Sequence, residues 1–433
     1  MRNLIKAVLA EWKERKLPEI IDREINLYSY AKSAVPKIIA VTGFRRVGKT
    51  YMMLHLVKAL LARKTREGVV YLNFEDERLP LKTELLTLLL PTIREVYRQK
   101  TEFLFLDEIQ GIPQWSKWVR RIYDSEGVRI FISGSSSKMS SREIPTELRG
   151  RFIEVKVFPL SFKEFLSFNN LEFDFKTIEH SKNKKAELLN ALNEYLEYGG
   201  FPEIVLSGEE RKVEIAQSYY QTLVRRDIIE RFKLKNEEGL KALLRLLLGS
   251  TKYSISKLYN TLKSLNYDIG KGTLQRYISH IEDSFFMFSV PVFSYKVKDQ
   301  MQYPRKPYFI DTVFISKIST KFTKAYGRLY ENLVAVELKR RDKEFYYWEG
   351  NHEEVDFVVK DGLKTKQLIQ VCYDASNPEI KKRELRALLK ASRELKCRNL
   401  IIITEDEECQ RDAAWFGIKR RVKFQPLWKW LVA

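Results

Sequence analysis

The feature that most constrains this chain is a loop framed by glycines, lying between an apolar run and a helical stretch. The loop consists of Gly43, Phe44, Arg45, Arg46, Val47, Gly48, Lys49 and Thr50. Residues 38–41 before it are apolar and typical of a buried strand, and residues 51–61 after it favour a helix. Strand, loop and helix in this order are the context that a phosphate-binding loop requires. The sequence therefore predicts a nucleoside triphosphate site here.

Each part of this loop has a chemical task in binding a triphosphate. Glycines let successive backbone N–H groups turn toward the β-phosphate, and the following helix directs its positive end at the same anion. We expect Lys49 to reach the β- and γ-oxygens and the Thr50 hydroxyl to ligate magnesium. The predicted cofactors are therefore ATP and Mg²⁺.

A pair of carboxylates follows a second continuous apolar run. Residues 103–106 have the composition of a strand that is buried on both faces of a parallel sheet, and Asp107 and Glu108 come next. We expect Asp107 to hold magnesium through water and Glu108 to orient and deprotonate the attacking water. The alternative is that the two carboxylates only solvate the end of a strand.

Two further positions could complete a hydrolytic site. Residues 128–132 are predicted to form a further strand and lead into Ser133 and Ser135. Either serine could contact the γ-phosphate or the attacking water, although Ser-Gly-Ser also suits a simple turn. Arg149 and Arg151 precede the next strand, where an arginine finger would point at the triphosphate of a neighbouring subunit. That interpretation implies a homo-oligomer. The alternative is a surface arginine paired with a carboxylate.

Length and composition limit the class of protein. A chain of 433 residues is too long for one ordinary core, so two to four domains are expected. No segment approaches the apolar length of a membrane span, and the N-terminus lacks the apolar core of a signal peptide, so we expect no membrane partner and a cytoplasmic location. The 3 cysteines and 4 histidines lack zinc-ligand spacing, which argues against a structural zinc or a disulfide framework.

The charge balance points to a polyanionic partner. The chain has 77 Lys and Arg against 57 Asp and Glu, a formal net charge of +20. Such an excess favours association with nucleic acid. The alternative is a generally basic proteome in which surface lysines only keep proteins soluble.

As a set, the motifs resemble a prokaryotic, largely archaeal AAA+-type ATPase family. The residues that carry the resemblance are 43–50, 106–110 with Trp115, 150–151 leading into 159–165, 198–202 and 226–231. The resemblance implies an α/β fold with four parts. The first two are a RecA-like parallel-sheet P-loop ATPase core over 1–160 and a helical lid over 161–235. The other two are a winged-helix domain over 236–320 and a restriction-endonuclease-like (PD-(D/E)XK) domain over 321–433.

Residues 236–320 also fit a winged helix by their own pattern. The segments are two short helices over 254–262 and 273–281, a turn over 266–270, and strands over 285–294 and 307–311. The second helix offers polar and cationic groups for the phosphates and base edges of double-stranded DNA, namely Lys271, Thr273, Gln275 and Arg276. Winged helices also mediate protein contacts, which is the alternative here.

The C-terminal third carries an incomplete nuclease pattern. In the nuclease superfamily, a helix glutamate, a strand aspartate and a Glu-x-Lys on the next strand hold divalent metal and activate water. Glu331 and Asp356 match the first two positions, whereas Gln370 and Cys372 replace the Glu and the Lys. An anionic ligand and a positive charge are therefore missing. The cations that could replace the lysine are Lys381, Lys382 and Arg383. We expect a degenerate site kept for packing, assembly or nucleic-acid contact.

These signals together predict a Mg-dependent, ATP-hydrolysing switch or motor of AAA+ type. It would act on nucleic acid, with double-stranded DNA as the first candidate, or on a protein partner that the sequence does not identify. Two alternatives come from other classes. One is an ATP-gated DNA nuclease, supported by Glu331 and Asp356. The other is a slow signalling ATPase that mainly binds proteins.

Overall fold

A computed structural model of the chain describes residues 1–134, 146–174, 178–319, 326–350, 353–374 and 377–433. The predicted alternative sensor Ser135 lies outside these residues. The chain divides into two units, Met1–Phe158 and Pro159–Ala433. Within the described ranges, no helix combines the length and apolar character needed to cross a membrane.

The first unit is built on five strands with helices between them. The strands are β1 (Ile38–Thr42), β2 (Val69–Asn73), β3 (Phe103–Asp107), β4 (Arg129–Gly134) and β5 (Phe152–Lys156). The helices are α1 (Arg2–Glu14), α2 (Tyr28–Ala31), α3 (Lys49–Leu61), α4 (Thr83–Tyr97) and α5 (Trp115–Ser125), with single 3₁₀ turns at Ile109–Gly111 and Thr146–Leu148. The spatial order of the strands is β2-β3-β4-β1-β5.

All neighbouring strands of this sheet are parallel, and this places the predicted site at one edge. Every residue of β1 and β3 is buried, which explains why both strands read as continuous apolar runs. Strand β4 lies between them, pairing Val41 of β1 with Ser133. The carboxyl ends of β1, β3 and β4 therefore meet, where ligands bind in open α/β sheets. The predicted parallel α/β core is confirmed.

The second unit contains helices, a two-stranded ribbon and a larger sheet. Its helices are α6 (Phe162–Phe168), α7 (Lys182–Tyr198), α8 (Pro202–Leu206), α9 (Glu209–Thr222), α10 (Glu237–Gly249), α11 (Ile255–Ser264), α12 (Lys271–Asp283), α13 (Val297–Gln302), α14 (Tyr326–Arg340), α15 (Pro378–Glu394) and α16 (Leu427–Leu431). A 3₁₀ turn lies at Ile178–His180, and π-helical segments lie at Leu223–Glu230 and Phe314–Ile318.

The strands of the second unit form two separate sheets. They are β6 (Met287–Val290), β7 (Lys306–Phe309), β8 (Glu344–Gly350), β9 (Glu353–Asp361), β10 (Lys364–Val371), β11 (Leu400–Thr404), β12 (Cys409–Trp415) and β13 (Ile418–Pro426). Strands β6 and β7 pair antiparallel as a ribbon that follows α10, α11 and α12. The other six form a mixed sheet in the order β12-β13-β11-β10-β9-β8. Helix α15 packs on this sheet, burying Leu388 with Val358, Leu368 and Ile402 in one core.

A turn at Gly199 and Gly200 fastens helix α7 to the segment after β7. Gly199 has a φ of 76°, and a Cβ there would lie 1.6 Å from Oδ1 of Asp311, so only glycine fits. The Gly200 N–H donates to Oδ2 of Asp311 at 2.8 Å, and the Val313 N–H donates to Oδ1 at 2.9 Å. Burial raises the pKa of Asp311 to about 7, although these two N–H donors and Arg340 oppose the rise.

This buried carboxyl predicts a pH-dependent stability. Because the folded-state pKa of Asp311 lies above its ordinary value of 3.8, the contribution of this carboxyl to the stability of the fold is greatest in acid. That contribution is lost as the pH rises through about 7. We expect the free energy of unfolding to fall by about 3 kcal/mol more in the wild type than in Asp311→Asn between pH 4.5 and pH 8. Urea unfolding across that range measures this difference, and equal slopes would contradict the assignment.

Candidate nucleotide-binding site

The predicted phosphate-binding loop joins β1 to α3 as expected. Gly43 has a φ of 148°, and a Cβ there would lie 2.2 Å from the carbonyl oxygen of Val157, so the close approach of the chain after β5 requires glycine. Gly48 also has a positive φ, of 95°, and α3 begins at the next residue, Lys49. The N-terminus of a 13-residue helix therefore opens directly onto the loop.

An arginine far from the loop in sequence holds the loop in place. Arg23 donates from Nη1 to the Val47 carbonyl at 3.1 Å and from Nη2 to the Phe158 carbonyl at 3.0 Å. It thus ties the loop to the end of the first unit through two charge-assisted hydrogen bonds. No periodic pattern and no motif in the sequence pointed to Arg23. Within the loop, Arg45 lies 3.6 Å from Glu75, a contact open to solvent.

Lys49 lies inside the site with its ammonium group directed over the loop. Its side chain is 5% exposed, and its Nζ donates to the carbonyls of Phe44 at 3.1 Å and Gly43 at 3.2 Å. The same Nζ is 3.8 Å from Oε1 of Glu108. The structure therefore brings together the predicted phosphate cation and the predicted base.

Asp107 is held by three hydroxyl groups. Its Oδ2 accepts hydrogen bonds from Thr50 Oγ1 at 2.7 Å and from the Tyr71 hydroxyl at 2.6 Å, and its Oδ1 accepts one from Ser133 Oγ. The carboxylate is 1% exposed, so these donors replace the water that it lost on burial. Thr50 and Asp107, the two predicted magnesium ligands, are thus in direct contact.

This donor set fits Mg²⁺. The contacting groups are one carboxylate and one hydroxyl, both hard oxygen ligands beside the phosphate loop, and Mg²⁺ is usually bound by one or two carboxylates together with substrate phosphates and water. Among the described residues, there is no group of three or more His, Cys, Asp and Glu side chains that could bind a metal without such help.

Tyr71 is a site residue that the sequence did not reveal. It lies within β2, where an aromatic residue among apolar neighbours reads as core. Burial, and next the charge of Asp107, raise the pKa of Tyr71 far above its ordinary value. The phenol therefore stays protonated and donates to Asp107.

Glu108 occupies an unusual backbone conformation immediately after β3. Its φ is 54°, in the left-handed region that costs a non-glycine residue free energy and that is common at functional sites. Its N–H donates to Ser133 Oγ at 3.1 Å, and its carboxylate accepts a hydrogen bond from Gln110. Ser133, the predicted sensor, thus bridges Asp107 and Glu108 by hydrogen bonds.

The two predicted arginine fingers differ in their surroundings. Arg151 pairs with Asp124 at 2.8 Å, which is the alternative that the sequence left open. The hydrogen bond from Arg151 holds the pKa of this carboxyl below its ordinary value. Arg149, in contrast, is exposed.

The candidate DNA-contacting residues lie on α12 of the second unit. Lys271, Gln275 and Arg276 are exposed there, and Thr273 is half-buried. Arg276 Nη2 contacts Thr273 Oγ1 at 3.2 Å, and the Lys271 ammonium lies 5.4 Å from the centre of the Tyr259 ring. These four residues therefore form part of the polar side of one helix.

The three residues of the degenerate nuclease pattern also lie close together, with a lysine that the sequence did not predict. Lys306 of β7 contacts Glu331 Oε1 at 2.7 Å and Asp356 Oδ1 at 2.8 Å. Gln370 accepts a hydrogen bond from the Asp356 N–H at 3.2 Å. The sequence had offered cations of α15 instead, but Lys381 pairs with Glu407 and Arg383 with Glu384. The cation at this site is therefore Lys306, which is supplied by strand β7.

Comparison with protein families divides the chain into three matched regions. A model described as an AAA domain matches residues 35–166. Two models described as domains of unknown function, DUF8612 and DUF4143, match residues 189–324 and 326–421.

Comparison with individual proteins finds relatives along nearly the whole chain. The uncharacterized protein MJ1544 of Methanocaldococcus jannaschii is 37% identical over 439 residues, covering 98% of this chain and 94% of the relative. An uncharacterized protein of Haemophilus influenzae is 28% identical, covering 75% and 79%. Among solved structures, the Walker-type ATPase PABY2304 of Pyrococcus abyssi is 15% identical with a TM-score of 0.46, covering 67% of this chain and 93% of that chain.

Proposed function

This chain matches the AAA domain model over residues 35–166 and belongs to the same family as the uncharacterized protein MJ1544, and we propose on that premise that it is a Mg-dependent ATP-hydrolysing switch or motor acting on double-stranded DNA. One observation carries the hydrolytic part of the proposal. Lys49, Thr50, Asp107 and Glu108 converge where β1 and β3 end, with an ammonium, a hydroxyl and two carboxylates facing one phosphate loop.

Phosphate binding follows from the loop and its helix. The backbone N–H groups of the loop and the N-terminus of α3 attract the β-phosphate. The Lys49 ammonium, which contacts two loop carbonyls, would exchange them for the β- and γ-oxygens of ATP. Thr50 and Asp107 would hold Mg²⁺, which neutralises the charge on those oxygens. Tyr71 and Ser133 keep the Asp107 carboxylate oriented.

Glu108 is our candidate for the base that activates water. Its Oε1 lies 3.8 Å from Nζ of Lys49. Because that ammonium would contact the γ-phosphate, Glu108 would face a water that approaches the phosphorus. The Gln110 amide and the Ser133 hydroxyl fix the side chain and the backbone of Glu108. A base that is positioned in this way takes the proton of the attacking water as the bond to phosphorus forms.

Of the two arginines, we favour Arg149 as the finger of a homo-oligomer. Arg151 already has a partner in its own chain, the carboxylate of Asp124. Arg149 is exposed and lies two residues earlier in the same segment. A guanidinium supplied by the neighbouring copy would neutralise charge on the transferred phosphoryl group.

Two observations support double-stranded DNA as the partner. The net charge of +20 favours a polyanion. The helices α11 and α12 followed by the ribbon β6–β7 suit a winged helix, in which the second helix enters a major groove. Lys271, Gln275 and Arg276 are exposed on that helix, where they could contact phosphates and bases.

ATP turnover with and without a DNA duplex, measured over a series of salt concentrations, tests this proposal. We expect DNA to raise turnover and its binding to weaken steeply with salt. In the double variant Lys271→Ala with Arg276→Ala, the slope of log affinity against log salt should be shallower by about two, since each phosphate contact contributes ~0.9.

A matched control removes the same charge from the first unit, as Lys58→Ala with Lys100→Ala, two exposed lysines. Equal loss of DNA binding in both double variants would indicate a general charge effect and no special role of α12. A wild-type ATPase that does not respond to DNA would favour the signalling ATPase that binds proteins. Metal-dependent degradation of a plasmid that is lost in Asp356→Ala would favour the ATP-gated nuclease.

A further inference from the structure

Lys306 is a buried lysine on the ribbon strand β7, with three carboxylates around its ammonium group. Its side chain is 3% exposed. The Nζ contacts Glu331 Oε1 at 2.7 Å, Asp356 Oδ1 at 2.8 Å and, more closely, Glu354 Oε1. An ion with this degree of burial is tolerated only when charged partners compensate its lost hydration.

The carboxylates reach this point from separate elements. Glu331 projects from α14, and Glu354 and Asp356 are alternate residues of β9, which places them on one face of the strand. Burial alone would lower the pKa of Lys306, but Asp356 and Glu331 raise that pKa well above its ordinary value. The lysine is therefore a cation at every physiological pH.

The other polar atoms around the cluster also have partners. Tyr308 donates to Glu331 Oε1 at 2.6 Å, and the Val371 N–H donates to Asp356 Oδ2 at 3.0 Å. The Gln370 amide nitrogen donates to Glu384 Oε2 at 2.5 Å, and the Gln370 amide oxygen accepts a hydrogen bond from the Asp356 N–H. Gln370 is thus fixed as an amide between a carboxylate and a backbone donor.

This arrangement does not fit the divalent metal that a nuclease-like site implies. Three carboxylate oxygens from two elements contact one position, but an ammonium group takes that position, and no group of three or more His, Cys, Asp and Glu side chains among the described residues could hold a metal ion as the side chains stand. Placing a metal there would bring its double charge against the lysine, at a distance at which like charges repel strongly.

We propose that the Lys306 ammonium occupies the position that a divalent metal ion would take among these carboxylates, and that it prevents a metal from binding there. It joins the ribbon β6–β7 to α14 and β9 by charge, so the domain needs no metal to fold. Removing the ammonium would leave Glu331 and Asp356 without this cation, while Glu354 would keep its second partner, Lys252. We expect the three carboxylates then to take up a divalent cation such as Mn²⁺. This inference is independent of ATP hydrolysis.

Mn²⁺ titration of the nucleotide-free full chain, followed by the electron paramagnetic resonance signal of free Mn²⁺, tests the inference. We expect Lys306→Met to bind one more Mn²⁺ per chain than the wild type, at least about tenfold more tightly than any wild-type binding to these carboxylates. Mn²⁺ should also raise the melting temperature of this variant, because a ligand that binds only the folded state stabilises it. EDTA should leave the melting temperature of the wild type unchanged.

Lys317→Met is the matched control. Lys317 is also a largely buried lysine of the second unit, but among the described residues its ammonium pairs with one carboxylate, that of Glu197, beside the Tyr198 ring. This variant should lose stability without gaining Mn²⁺. A folded Lys306→Met protein with no added Mn²⁺ site would overturn the inference.

A measurement on the wild type shows whether the carboxylates around Lys306 already hold a metal, even if Lys306→Met does not fold. The wild type and Glu331→Gln should bind equal amounts of Mn²⁺, since any binding near Asp107 is common to both. If the wild type binds one Mn²⁺ more than Glu331→Gln, the carboxylates already hold a metal and the inference is wrong.

Discussion

Glu108→Gln is expected to lower ATP turnover by about 10²–10⁴, the range for loss of a positioned general base. ATP affinity should stay close to that of the wild type, because Glu108 Oε1 lies 3.8 Å from Lys49 Nζ and glutamine keeps an oxygen that can take this place. Glutamine keeps the size and the hydrogen bonding of the side chain but cannot accept the proton of the attacking water. The variant should therefore accumulate as a complex with uncleaved ATP.

Single-turnover phosphate release together with binding of a fluorescent ATP analogue separates the two effects. Glu77→Gln is a suitable control, since Glu77 is an exposed carboxylate that follows β2 at the same edge of the sheet. It should hydrolyse ATP at the wild-type rate. Wild-type turnover by Glu108→Gln would show that another group activates the water.

Lys49→Met is expected to weaken ATP binding by about 10- to 100-fold and to lower turnover by about 10²–10³. The first range is that of a charge-assisted hydrogen bond to phosphate, and the second that of one lost donor to transition-state charge. The methionine is similar in length and suits a side chain that is only 5% exposed, so the fold should persist. Isothermal titration with ATP and steady-state turnover measure the two effects.

Lys58→Met controls for loss of a lysine from the same helix. Lys58 also lies on α3 but is exposed, so this variant should bind and hydrolyse ATP like the wild type. If Lys49→Met bound ATP as tightly as Lys58→Met, the ammonium of Lys49 would not contact the phosphates and our assignment of the loop would be wrong.

The parts of the site that were predictable from sequence are those encoded by neighbouring residues. The glycine loop and the acidic end of a buried strand each need only one segment, and the structure has β1, β3 and α3 where the sequence placed them. Strands buried on both faces produce continuous apolar runs, which are easy to recognise. The contact between Thr50 and Asp107 then follows from the parallel order of the strands.

The supporting residues were not predictable, because they act across long separations in sequence. Arg23 contacts the loop carbonyl of Val47, 24 residues away, and Tyr71 donates to Asp107, 36 residues away. A tyrosine within a strand looks like any core residue in the sequence, and an arginine ahead of a strand looks like any surface residue. Only the strand order brings them to the site.

The cluster around Lys306 in the second unit was even less predictable from the sequence. The expected helix and strands are present as α14, β9 and β10. The cation, however, comes from Lys306, which lies 25 residues before Glu331 and 50 before Asp356. The sequence suggested cations from the helix after β10, since these are near in the chain. An ion pair formed by an earlier ribbon strand has no local signature.

The most direct test of the hydrolytic site is phosphate release from ATP by the wild-type chain with Mg²⁺, compared with the same protein in excess EDTA. We predict repeated turnover that requires Mg²⁺ and that Glu108→Gln reduces by the factor given above. Tight ATP binding with no phosphate release in Mg²⁺, or equal release in Mg²⁺ and in EDTA, would contradict the roles assigned to Thr50, Asp107 and Glu108.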